Sequence, residues 1–190
     1  MRVKTQWHRS GKPKSADETA RALAPVLWRL ADKSLKNLQS EDYAILDPQQ
    51  AFSIIAEFLV FMTQIADRIA YETLDNDTRS VFITALALRT GEILEENILD
   101  SPNIAPDDYR QMFVRLLNRR AGDYAAFRYT SEGPDFSFKR YLGLQIREVM
   151  GDRDKAWIID QIMEIETPEM VETIQKGVRG LLDASASINH

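Results

Sequence analysis

The stretch DPQQAFSIIAEFLVFMTQIADRIAYETL, residues 47–74, decides the fold class. Asp47 offers a carboxylate to cap a helix, and Pro48 suits the first turn, where its missing N–H costs nothing. Ile55, Leu59, Met62, Ala66 and Ile69 then recur at helical spacing, and Phe58, Phe61 and Ile65 widen the stripe. An apolar surface this broad predicts a helix covered from several sides, at the centre of a bundle. The most apolar part, Ile54 to Met62, contains Glu57 and ends before Gln64, Asp67 and Arg68. That is far short of the ~20 apolar residues needed to cross a bilayer, so no transmembrane segment is expected.

The flanking sequence repeats the helical signal. Upstream, Ser15-Ala-Asp-Glu18 reads as a capping box, followed by Ala20, Leu23, Ala24, Leu27, Leu30, Ala31, Leu35 and Leu38. Pro25 inside this run predicts a kink or a break. Downstream, Asp75-Asn76-Asp77 predicts a turn and Thr78 to Leu99 a third helix, with Gly91 inside it at a cost of about 1 kcal/mol relative to Ala. Pro106 is expected to open a fourth helix, with Tyr109, Met112, Phe113, Leu116, Leu117 and Tyr124 as its buried stripe. Residues 128–136 break the pattern. A fifth helix carries Phe138, Leu142, Ile146 and Val149, and Gly151-Asp152 ends it and caps the next. The sixth shows Trp157, Ile158, Ile162 and Ile165, and Thr167-Pro168-Glu169 caps and opens a seventh with Val171, Ile174, Val178 and Leu181. Phe127 to Thr130 and Phe136 to Lys139 also alternate as strands would, so a hairpin turning at Ser131 to Asp135 is an alternative there.

The expectation is an all-α, single-domain multi-helix bundle or irregular orthogonal helical array of about six to eight helices. It spans residues 15–183, with a basic, flexible tail at 1–14 and a frayed end at 184–190.

Composition narrows the chemistry. The chain has no cysteine, which excludes disulfides, thiol nucleophiles and thiolate metal sites, and fits a reducing compartment such as the cytoplasm. Its two histidines, His8 and His190, lie near opposite ends of the 190 residues, which disfavours a histidine-based triad or a multi-histidine metal centre. No cofactor is predicted. The net charge of −5 is segregated: residues 1–14 carry five basic and no acidic residues, 15–109 sum to −10, 110–147 to +5 and 148–190 to −5. An acidic chain is a poor general binder of nucleic acid, but a local basic zone can attract a small anion or an acidic protein.

Four constellations could carry function. Glu57 interrupts the second helix, and Glu92, Glu95 and Glu96 lie on the third. Glu57 lies eighteen residues before Asp75 and Glu95 eighteen after Asp77, so an antiparallel pair would set them level. Converging carboxylates suit Mg²⁺ or Ca²⁺. The plainer reading puts Glu57 in a narrow solvated stripe with Gln50, Ser53, Gln64 and Arg68, and no metal site is favoured. The pairs Glu72-x-x-Asp75 and Glu92-x-x-Glu95 superficially resemble the Mg²⁺-holding motifs of the all-helical nucleotide pyrophosphohydrolases. Here, however, one pair sits beside the turn and the other at the far end of its helix, roughly 20–25 Å away.

The second constellation is basic and aromatic. Eight of the seventeen aromatic residues fall between Tyr109 and Tyr141. Arg119, Arg128, Tyr129, Lys139, Arg140 and Tyr141 are the candidate anion or ligand site there, because guanidinium forks suit phosphate or carboxylate and aromatic faces stack on planar ligands. The plainer reading packs the aromatics onto the core and leaves the charges in water. The third is the basic tail with Trp7, and the fourth is Gly177-x-x-Gly180, which could admit a helix of a second subunit. The leading functional expectation is a non-enzymatic interaction or regulatory module, a homodimer. The alternative is an enzyme or binding protein for an anionic, nucleotide-like molecule at 109–141.

Overall fold

The computed structural model describes residues 15–102, 104–150, 154 and 156–186, with side chains as far as Leu182. The fold is all-α. The helices are α1 (Ala16–Ser40), α2 (Pro48–Thr73), α3 (Asn76–Leu99), α4 (Tyr109–Tyr124), α5 (Phe136–Val149), α6 (Ile158–Gln161) and α7 (Thr167–Ala186). A hairpin of two-residue strands, β1 (Tyr129–Thr130) and β2 (Gly133–Pro134), lies between α4 and α5. The basic tail 1–14, Gly151-Asp152 and residues 187–190 lie outside the described residues.

Every residue from Ile54 to Ala66 is buried, so α2 is covered on all sides. Its neighbours are α1, α3, α4, α5 and α7. The two-residue connection Leu74–Asp75 makes α2 and α3 antiparallel, and Arg79 locks the turn by reaching back to both oxygens of Asp67 at 2.7 and 2.6 Å. Asp47 caps α2 by accepting from the Gln50 N–H at 2.7 Å. The capping box of α1 forms as the sequence implies: Ser15 Oγ accepts from the Glu18 N–H at 3.2 Å, and Glu18 accepts from the Ser15 N–H at 2.9 Å.

The structure corrects several local expectations. Pro25 does not break α1, which runs unbroken from Ala16 to Ser40. Leu23, Ala24 and Leu27 are fully buried around it, and that burial offsets the helical hydrogen bond that proline removes. The fourth helix opens at Tyr109, not Pro106, because Asp108 supplies the cap by accepting from the Gln111 N–H at 2.9 Å. The alternating segments form a smaller hairpin than their pattern allows. Phe136 begins α5 under an Asp135 cap, and Gly133 takes the positive φ of +120° that closes the turn.

Thr167 does not cap a new helix. The chain passes from α6 through a π-helical turn, Ile162–Glu166, directly into α7, and the Thr167 hydroxyl donates back to the Met163 carbonyl at 2.8 Å. Pro168 has no N–H for the carbonyl four residues earlier, and the wider π turn accommodates that loss. Within and just after the widened turn, Glu166 and Thr167 face the core, whereas Ile165 is 59% exposed. Trp157, ahead of α6, is 72% exposed instead of buried. Glu166 is buried, accepting from the amides of Asn37 and Gln161, both at 3.2 Å.

Candidate functional site: an apolar cleft beside a buried ion pair

Glu57 is not part of a solvated stripe. It is 3% exposed, because α4 lies over it and supplies Arg120. The Arg120 guanidinium donates from Nη2 to Glu57 Oε1 at 2.6 Å and from Nε to both carboxylate oxygens at 3.2 Å. Its Nη1 also approaches the Tyr141 hydroxyl at 3.4 Å, and that hydroxyl donates to Asp123. The chain Glu57–Arg120–Tyr141–Asp123 thus joins α2, α4 and α5. Burial, reinforced by the Asp123 carboxylate, pushes the Tyr141 phenol up to about 12. The Tyr124 hydroxyl is buried beside this chain without a hydrogen-bond partner among the described residues.

Aromatic residues between 124 and 141 pack mainly on one another. Tyr124 and Phe138 have ring centroids 4.5 Å apart, Tyr124 and Tyr141 4.9 Å, and Phe61 of α2 meets Phe138 edge-on at 5.6 Å. Arg68 ties the same region to α2 by donating to the Tyr124 carbonyl at 2.9 Å. The cluster anchors the hairpin and α5 to the central helix.

The six residues marked as an anion site do not converge on one pocket. Tyr129 turns toward α7, where the Gln175 amide donates to its hydroxyl at 3.2 Å. Arg140 and Tyr141 border a shallow groove of about 280 Å³ with Phe127 and the 65%-exposed Phe136. Arg119 borders a different cleft. Arg128 is exposed on the entry to the hairpin, and Lys139 is half-buried in the first turn of α5.

Their charges nonetheless share a property. Arg115, Arg119, Arg128, Lys139 and Arg140 make no ion pair among the described residues, and of the other described cations only Arg29, Arg68 and Arg179 join them. Other described cations have carboxylate partners, as Arg21 has Asp17 and Lys33 has Glu169.

The four carboxylates weighed as metal ligands are drawn to arginines. Glu92 meets Arg89 at 3.0 Å and Arg110 at 4.0 Å, and Glu96 meets Arg89 at 3.2 Å. Glu95 accepts from the Arg110 backbone N–H at 3.2 Å, and Glu57 is held by Arg120. No group of three or more metal-ligating side chains converges among the described residues.

The cleft at Arg119 lies between α2, α3 and α4, with a volume of about 290 Å³. Phe52, Leu94, Ile98, Ile104, Met112 and Leu116 wall it, and Glu57 lies at its floor. Gly91 permits the close approach of α3 and α4 beside it: a Cβ there would stand 3.1 Å from Arg110 Cγ and 3.3 Å from Phe113 Cδ1. Gly177 and Gly180 meet no such neighbour among the described residues, where a Cβ would lie 3.9 Å from Leu23 Cδ1 and beyond 4 Å of any described atom, respectively.

Sequence reading missed the Glu57–Arg120 pair. The one signal was a glutamate within the most apolar run of the chain, and its partner lies 63 residues away. No family model, no curated protein and no solved structure matches this chain. Among the described residues, no helix is long and apolar enough to cross a membrane.

Proposed function

We propose that this chain is a non-enzymatic interaction module that docks an acidic protein segment on the face built by α4, the hairpin and α5. The observation that carries the reading is the concentration of cations without ion-pair partners at Arg115, Arg119, Arg128, Lys139 and Arg140. An unpaired guanidinium keeps its full capacity for a charge-assisted hydrogen bond to an incoming carboxylate. Distribution over two helices and a hairpin suits an extended partner better than a compact one. The aromatic cluster stiffens the hairpin and α5, the segments that carry Arg128, Lys139 and Arg140, which lowers the ordering cost of binding.

Self-association and a cytoplasmic setting belong to the same proposal. Val81 and Leu88 are 52% and 41% exposed, seven residues apart on α3, and offer a second copy an apolar strip. The lack of cysteine suits a reducing compartment.

Thermal unfolding at constant ionic strength tests the docking face, with a deca-glutamate peptide compared against chloride, phosphate and nucleotides. Binding to the native state raises the melting temperature. The peptide should do so, and Arg128→Ala with Arg140→Ala should reduce the shift. A response to phosphate or nucleotide with none to the peptide would favour the small-anion reading. No response to any of them would remove both.

A further inference from the structure

We propose a second binding site, which shares Arg119 with the docking face: the cleft between α2, α3 and α4 takes a small amphiphile, an apolar body bearing a single carboxylate head. Three features of the cleft select this chemistry.

The walls are apolar and preformed. Leu94 and Ile98 come from α3, Met112 and Leu116 from α4, and Phe52 from α2. At about 290 Å³ the volume sits at the lower end of the range for small-molecule sites. Met112 is 44% exposed at the mouth, and its flexible thioether can adapt to a chain of variable shape.

The floor is neutral. An isolated carboxylate at Glu57 would repel an anion, but both of its oxygens are held by Arg120, at 2.6 to 3.2 Å. No other carboxylate lines the cleft among the described residues, and on α3 Glu92 is engaged by Arg89 and Glu95 by the Arg110 N–H.

The mouth is cationic. Arg119 lines the cleft, and its guanidinium makes no ion pair or hydrogen bond among the described residues. Gln49 and Ser53 are the neutral polar groups on the opposing α2 wall. Adjacent arginines thus have different tasks: Arg120 neutralises the floor, and Arg119 remains available for a ligand head. A carboxylate is the smallest group that uses a guanidinium fork in full.

Octanoate is the probe, well below its micellar range, with octanol as the control lacking the charge. Titration is followed by calorimetry and by the ¹³C-labelled methyl resonance of Met112, assigned through Met112→Leu. Met62, fully buried in α2, serves as the internal reference. Octanoate should bind saturably at one site and shift the Met112 methyl while leaving Met62 in place. Octanol should bind about tenfold more weakly, and Arg119→Ala should bring octanoate to the octanol level. Ser53→Phe, which fills the cleft from a half-buried position, should abolish both. Binding without a Met112 shift, equal affinity for the acid and the alcohol, or an unchanged response in Ser53→Phe would overturn the assignment, as would no saturable binding. The deca-glutamate test turns on Arg128 and Arg140, which do not line the cleft, so its outcome is read separately from these.

Discussion

Helices α2 and α4 carry the same kind of apolar periodicity and meet opposite fates. On α2 the stripe and its flanks are buried without interruption from Ile54 to Ala66. On α4 the expected stripe was Tyr109, Met112, Phe113, Leu116, Leu117 and Tyr124, yet only Phe113, Leu117 and Tyr124 are buried. Tyr109, Met112 and Leu116 instead line the cleft. The difference is the number of neighbours. Five helices pack on α2, whereas α4 packs chiefly on α3 and α2 and leaves half of its apolar stripe only partly covered. Periodicity reports which side chains seek cover, and the remainder left over after packing marks a place where something else can supply it.

The largest effect should come from breaking the Glu57–Arg120 ion pair between the two helices. Arg120→Ala leaves the Glu57 carboxylate buried and unpaired, which costs about 3–5 kcal/mol in a urea titration. The double replacement Glu57→Leu with Arg120→Met should recover most of that loss, since the cost lies in the stranded charge. A single replacement costing under about 1 kcal/mol would mean that the link between α2 and α4 is not structural.

Next in size is the core of α2 itself. Leu59 is fully buried, so Leu59→Ala should cost about 2–5 kcal/mol through lost burial and the cavity left behind. The same truncation on the open side of α4, Met112→Ala, should stay within about 0.5–1 kcal/mol. Equal costs at the two positions would erase the distinction between covered and uncovered apolar faces.

A cap should rank below either core effect. Asp47→Ala removes the acceptor for the Gln50 N–H and should cost about 1 kcal/mol by the same titration.

Smallest are the exposed arginines. Arg128→Ala and Arg140→Ala should each change stability by no more than about 0.5 kcal/mol, because neither makes an ion pair among the described residues. Their effect belongs in the peptide response. A strong destabilisation would show that they serve the fold, contrary to the docking reading.

Much of the fold was legible because the signals are local. The Ser15–Glu18 box, the Asp47–Pro48 entry and the stripes of α1, α2 and α5 are all read from residues within one or two helical turns of each other. Pro25 and Pro168 show where local rules fall short. At Pro25 the burial of Leu23, Ala24 and Leu27 overrides a helix breaker. Near Pro168 a π turn replaces the expected stop, and the face that should have carried Ile165 inward carries Glu166 instead.

The candidate sites divide in the same way. Charge segregation, and with it the basic character of residues 110–147, is a property of the sequence alone. Which of those cations remain unpaired is not, because each pairing depends on a carboxylate from another helix. Arg119 and Arg120 are indistinguishable as neighbours in sequence. A turn of about 100° per residue sends one to the mouth of the cleft and the other to Glu57. By itself, then, the sequence determined the helices, the central place of α2 and the sign of the charge on α4 and α5, since these follow from spacing along one chain segment. Only the tertiary structure decided that Glu57 is buried and neutralised, that the aromatic residues are mutually packed, and that an apolar cleft stays open beside Arg119. Those outcomes depend on which surfaces meet, and packing brings together residues far apart in sequence through contacts that no local pattern encodes.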